Sequence, residues 1–141
     1  MGIAYHCDPD ERCTFVVWDA DVTPEEWIRR EDAMWTDPAF PPGPRTLVDL
    51  RTAAGLPHVP IQAVRQMGER LRRRAPQLGP HSLAVLPNSS WGKVREFEEK
   101  LHRSEITSIA FNSVSTACVW LGVNGDHATE LLAALREGLP T

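Results

Sequence analysis

Residues 82–101, SLAVLPNSSWGKVREFEEKL, contain the pattern that decides the fold. The first five residues form an apolar run of the length of a buried strand, and the Pro87-Asn88-Ser89-Ser90 turn supplies helix-capping side chains. Apolar residues then recur at spacings of three, three and four from Trp91 to Leu101, which predicts a helix. The segment is therefore a strand that leads through a capped turn into a helix.

The same unit recurs on both sides of this segment. Further short apolar runs lie at Thr46–Leu50 and Ile106–Phe111, and helices are predicted over Ile61–Arg74 and Ser115–Leu121. Short buried strands that alternate with helices are typical of a mainly parallel sheet with right-handed crossovers.

The chain opens with a predicted hairpin followed by a helix. Two β-branched and aromatic runs, Ile3–Cys7 and Arg12–Trp18, are joined by a turn-rich connector of hairpin length, Asp8–Glu11. Thr23-Pro24-Glu25-Glu26 then supplies a cap hydroxyl, a proline at the first helical position and a capping-box carboxylate. The first helix is predicted over Pro24–Trp35.

These elements predict an α/β protein with a mostly parallel five-stranded sheet, opened by an antiparallel hairpin and with helices alternating between the strands. The length of 141 residues suits one domain over 1–141, with 126–141 a C-terminal helix capped by Asp126. The hairpin leaves an edge strand, which the proline-rich segment 37–44, the last helix or a symmetric homodimer could cover.

Composition indicates an ordinary globular protein and disfavours a nucleic-acid-binding one. Hydrophobic residues make up 42% and charged residues 24%, which indicates a globular chain, and a net charge of −4 disfavours nucleic acid as a partner. The basic run Arg70–Arg74 ends the second predicted helix, where it complements the helix dipole, with a nucleic-acid or anionic-membrane patch as the alternative.

The cysteines and the N-terminus predict a cytoplasmic location. The count of three cysteines is odd, and none forms a Cys-x-x-Cys pair, so we expect reduced thiols. The N-terminus carries no signal-peptide pattern, and no apolar run is long enough for a transmembrane segment.

No motif for catalysis, metal or cofactor stands out. The five histidines are scattered, and neither a phosphate-binding glycine loop nor a Gly-x-Ser-x-Gly elbow occurs. We therefore predict no metal, no cofactor and no enzymatic activity. An enzyme that uses Asp49 as acid or base is the weakest alternative, because no partner group is evident.

The whole pattern from Ile3 to Leu121 resembles the SpoIIAA-like superfamily, which includes STAS domains and lies near the lipid-binding CRAL-TRIO fold. The high ratio of arginine to lysine, together with abundant alanine and proline, favours a bacterial source of high G+C content. Beside the opening hairpin, the resemblance rests on four segments: Val22–Glu26, Leu47–Arg51, Trp91–Phe97 and Ala117–Leu121.

In regulatory members of that superfamily a phosphorylatable Ser or Thr follows the strand that corresponds to Leu47–Leu50. Thr52 is the matching hydroxyl here, but no acidic residue is adjacent to it. Phosphorylation of Thr52 and a plain loop threonine both stay open.

A polar rim is predicted where the parallel strands end, since ligands of open α/β sheets gather at that edge. Arg51 or Arg95 would supply the charge for a carboxylate or phosphate, although the caps and turns alone could account for the polar residues, and Asp49 could tie its own loop. The candidate ligand-binding residues are Asp49, Arg51, Thr52, Asn88, Ser89, Ser90, Arg95, Asn112 and Ser113.

Two functions follow as hypotheses. The resemblance implies a non-enzymatic STAS-like regulatory or protein-interaction module, which presents the helix after Thr52 to a protein partner. The alternative is a small carrier or sensor of an apolar or anionic ligand such as a lipid. In that case Trp27, Trp35 and Trp91 would line a cavity between helix and sheet rather than serve only as core.

Overall fold

The computed structural model describes residues 2–19, 22–40, 45–52, 59–89 and 91–138. Five strands form one mixed sheet, and the predicted order of strands and helices is confirmed. The elements are β1 (Ile3–Asp8), β2 (Cys13–Trp18), α1 (Pro24–Trp35), β3 (Arg45–Asp49), α2 (Ile61–Leu78), β4 (His81–Leu86), α3 (Trp91–Lys100), β5 (Ile106–Ala110), α4 (Val114–Leu121) and α5 (Gly125–Glu137).

The sheet follows the chain, with strand order β1-β2-β3-β4-β5. β1 pairs antiparallel with β2, and each later strand adds in parallel to the one before it. Each parallel connection thus adds its strand on the same side of the previous one. Since such connections are right-handed, their helices α1, α2 and α3 lie on one face of the sheet.

Side chains alternate between the two faces of the sheet and build two separate cores. One core holds Val16, Leu83 and Val85 of the sheet against α1, α2 and α3. The other holds Phe15 and Leu47 against α4 and α5. The interior strand β2 is buried along its whole length because helices cover both of its faces.

Local signals fix most helix ends. The Thr23 hydroxyl accepts the Glu26 backbone N–H at 3.2 Å, as the α1 start predicts. α4 ends at Gly122, which adopts a left-handed conformation with φ of 76°. The predicted Asp126 cap is wrong: Asn124 accepts the His127 N–H at 2.9 Å and begins α5 one residue earlier.

α2 runs four residues beyond its predicted end and contains Pro76 in its last turn. The basic run is therefore not at the helix terminus, and the last turn carries no basic residue. Instead Arg70 and Arg74 both donate to Asp32 of α1, and the Arg74 guanidinium lies 6.0 Å from the centre of the Trp35 ring. The dipole interpretation is wrong because these arginines bridge two helices.

None of the helices in the described ranges is long and apolar enough to cross a membrane.

Candidate functional site

A cavity of about 100 Å³ lies between the sheet and the helices α1, α2 and α3. We call it the helix-face cavity. Most of its wall is apolar and aromatic: Trp27 packs edge-on against Trp18 at 4.9 Å and lies 5.8 Å from Phe97 between ring centres. Val48 and Val85 contribute the floor from the sheet. Such a wall suits an apolar ligand.

Polar side chains from β3, β4 and α1 meet at one end of this cavity. Nε2 of His81 lies 2.9 Å from the Thr46 hydroxyl, and the rings of Trp35 and Phe40 flank the imidazole at 6.0 Å and 6.2 Å. Burial lowers the pKa of His81 to about 4, so the ring is neutral at pH 7. Among the described residues, His81 Nδ1 is buried without a hydrogen-bond partner, whereas the Trp35 N–H is directed at the Glu31 carboxyl of the same helix.

Glu31 adds a carboxyl group to the same end of the cavity. It belongs to α1 and is only 8% exposed. Burial raises its pKa to about 7, against the opposing effects of Trp35, Arg70 and Arg74. Nε of Arg70 stands 4.0 Å from Oε1 of Glu31. The carboxyl therefore populates both its neutral and its charged form near neutral pH.

This arrangement suits a small molecule with an apolar body and one hydrogen-bonding group. His81 Nδ1 is a buried group whose hydrogen bond a ligand would complete, which is favourable because an unpaired buried polar group is costly. The volume is somewhat below the roughly 150 Å³ of a protein cavity that admits benzene. A single aromatic ring is thus at the upper size, and a long lipid chain exceeds it.

Two of the three tryptophans predicted to line a cavity do so. Trp27 and Trp35 lie in its wall. Trp91, the third, is 47% exposed at the start of α3 and lines a different groove beside β5.

The predicted polar rim contains a buried ion cluster around Asp49, which has no exposed surface. Nε and NH2 of Arg51 donate to its two carboxylate oxygens at 2.9 Å and 2.8 Å, and the Arg51 backbone N–H donates at 2.9 Å. Arg136 of α5 also donates to this carboxylate. Asp49 therefore ties its own loop, as the alternative interpretation predicts, and both arginines are engaged with it.

The other rim residues do not converge on the helix-face cavity. The Thr52 hydroxyl donates to the Trp18 carbonyl at 2.6 Å, and Ser113 accepts the Thr116 N–H as the cap of α4. Arg95 is exposed beside β5. Asn88, Ser89 and Asn112 are exposed at the strand ends, and Ser90 lies outside the described residues. Ligand binding by this rim stays a prediction.

The residues missed by sequence reasoning are those of the polar end. Glu31 follows Trp27 by four residues and precedes Trp35 by four, so all three share one helix face. A carboxylate on an apolar face is a usable signal for a buried polar group. His81 gives no comparable signal, because only the sheet register brings β4 beside Thr46 of β3.

Cysteine and histidine positions give little support for metal chemistry. All three cysteines are free and buried. Cys7 lies opposite Thr14 in the hairpin register, so Cys7 and Cys13 are not a direct cross-strand pair. No group of three or more metal-binding side chains occurs within the part of the chain that the structure describes.

Comparisons with protein-family models, with curated proteins and with solved structures found no match. The resemblance to the SpoIIAA-like superfamily stays a prediction.

Proposed function

We propose that this protein is a non-enzymatic STAS-like regulatory module that senses or carries a small apolar ligand in the helix-face cavity. The observation that carries the proposal is the apolar cavity, whose polar end leaves His81 Nδ1 without a partner among the described residues. A neutral hydroxyl or carbonyl group on the ligand would complete that hydrogen bond. The expected ligand is therefore a small aromatic alcohol or a compound of similar size.

The state of Asp49 supports a non-enzymatic role. A general acid or base must reach its substrate and exchange a proton with it. The Asp49 carboxylate is buried and bound by two arginines, so it is occupied in holding β3 to α5. The three free buried thiols support the proposed cytoplasmic location of a bacterial protein.

Ligand binding is tested with phenol, toluene and palmitate as probes, using thermal unfolding and titration calorimetry on the full chain. We expect phenol to bind more tightly than toluene. At ten times its dissociation constant it should raise the free energy of unfolding by about 1.4 kcal/mol. Failure of all three probes to bind would refute the proposal. Tight binding of palmitate would overturn the size limit in favour of a lipid carrier.

Two variants localise the binding. Val85→Phe places a ring in the cavity and should abolish binding, while Val119→Phe makes the same change at an 82% exposed site of α4 and should not. His81→Phe replaces the imidazole at the polar end by an aromatic ring that cannot hydrogen-bond and should bring phenol and toluene to equal affinity. Because this last variant keeps an aromatic ring, it remains informative if Val85→Phe fails to fold.

A role in protein interaction is the second candidate. Ile61 and Trp91 favour it, since these apolar side chains are 37% and 47% exposed at the first residues of α2 and α3. Both helices begin after a parallel strand, and α2 is the helix that follows Thr52. Replacement of both residues by serine should abolish capture of a partner by cross-linking, whereas Ile28→Ser on α1, equally exposed at 37%, should not. Equal capture by all variants would contradict this surface.

A further inference from the structure

The outer edge of β5 is an open sheet edge in the described structure. β5 pairs with β4 on one side only. The Glu105 carbonyl accepts the His81 N–H, and the Phe111 N–H donates to the Val85 carbonyl. Since backbone direction alternates along a strand, odd-numbered residues of β5 face β4 and even-numbered residues point outward.

Most outward-pointing backbone groups of β5 have no partner among the described residues. At its start, Ser104 Oγ accepts the Ile106 N–H at 3.2 Å, but the Ser104 hydroxyl donates to the Leu101 carbonyl at 2.6 Å rather than to the Ile106 carbonyl at 3.4 Å. Ser108 and Ala110 have no such local partner among the described residues. Unpaired edge groups of this kind favour the addition of another strand.

A groove of about 500 Å³ accompanies this edge, between β5 and α3. Its wall includes the two buried polar atoms Ser108 Oγ and Glu98 Oε1, neither of which has a partner among the described residues. Burial raises the pKa of Glu98, and Arg95 on the same helix opposes that rise. The groove therefore combines one cation and one carboxyl group three residues apart.

This charge pattern matches a second copy of the same chain. Two β5 strands that pair antiparallel are related by a two-fold axis perpendicular to the sheet, so the two α3 helices lie on the same face and run in opposite directions. Arg95 of one copy then faces the partner's Glu98, and the reverse pair forms by symmetry. A contact in which one patch meets itself is what a two-fold dimer requires.

We propose that two copies of this chain associate through β5, centred on Ser108, into a continuous ten-stranded sheet with reciprocal Arg95–Glu98 contacts across α3. The proposal is independent of ligand binding, because the groove and the helix-face cavity share only Val94 in their walls. It also differs from the hairpin-edge dimer, since β1 and β5 are at opposite ends of the sheet.

Sedimentation velocity and light scattering over a range of concentrations test the proposal. The wild-type chain should show twice its mass of 15.8 kDa. Ser108→Pro should be monomeric, since its N–H points away from β4 and proline is tolerated at such an edge position while blocking the new pairing. Ser108→Ala, which keeps the backbone N–H, should remain dimeric.

A charge exchange supplies a test that does not depend on proline. Arg95→Glu should weaken the dimer about tenfold or more through like-charge repulsion. Combined Arg95→Glu and Glu98→Arg should restore it. A monomeric wild-type chain, or a dimer that survives both Ser108→Pro and Arg95→Glu in folded protein, would overturn the proposal. A monomer that binds an extended peptide at β5 would equally overturn self-association.

Discussion

Burial of His81 and Glu31 predicts two opposing pH dependences of the free energy of unfolding, which partly cancel in the wild-type protein. The pKa of His81 is about 4 in the folded chain and near 6.5 when unfolded. Between these two pH values His81 binds a proton in the unfolded chain but not in the folded one. The free energy of unfolding therefore rises with pH from about 4 to 6.5. For Glu31 the folded pKa is about 7 and the unfolded value near 4.5, so stability falls as pH rises between them.

The two effects oppose each other between pH 4.5 and 6.5. Each is worth about 3 kcal/mol over its full window, at roughly 1.36 kcal/mol for each tenfold difference in proton affinity. His81→Gln and Glu31→Gln each remove one titration while keeping a neutral polar side chain. The comparison of interest is the free energy of unfolding of wild type minus that of each variant.

Urea unfolding from pH 4 to pH 8 gives these differences. For His81→Gln the difference should rise by about 3 kcal/mol from pH 4 to 6.5. For Glu31→Gln it should fall by about the same amount from pH 4.5 to 7. The double variant should lack both slopes. Differences that stay constant with pH in both single variants would refute the burial of these groups as titrating residues.

Two further predictions concern the two helix layers. Asp49→Asn should lower the free energy of unfolding by about 3 kcal/mol because it leaves two arginines without their carboxylate. Asp10→Asn in the exposed hairpin turn is the control and should change the free energy of unfolding by less than about 0.5 kcal/mol. Thermal unfolding measures both variants, and equal effects would contradict the ion cluster. Gly68→Ala would place a Cβ 2.7 Å from Cβ of Lys100 and should lower the free energy of unfolding in urea by about 1–3 kcal/mol. Gly92→Ala, with open space around the new Cβ, should leave that free energy unchanged or raise it. A Gly68→Ala protein as stable as wild type would contradict the close contact of α2 with α3.

Sequence was sufficient where the deciding interactions are local. α1 begins at its predicted residue because Thr23 caps it and Pro24 fits the first helical position. The strands are located by their apolar runs, since short continuous runs are typical of strands buried on both faces in a parallel sheet. These signals depend on neighbours within a few residues.

Sequence was insufficient where partners are distant in the chain. The end of α2 was placed too early because Arg70 and Arg74 have the composition of a helix end, while their partner Asp32 lies on another helix. The polar end of the helix-face cavity could not be predicted for the same reason. Glu31 and His81 reach one site only through the packing of α1 on the sheet, so no spacing rule could connect them.

The division of the sheet into two cores has a consequence for synthesis of the chain. The face formed by Phe15, Leu47 and Ala84 is covered by α4 and α5, which lie after the last strand in sequence. During translation the sheet and its first helices can assemble while this second face is still bare. An apolar surface then stays open to water until α4 and α5 leave the ribosome, and transiently exposed apolar surface makes a partly folded chain prone to aggregation.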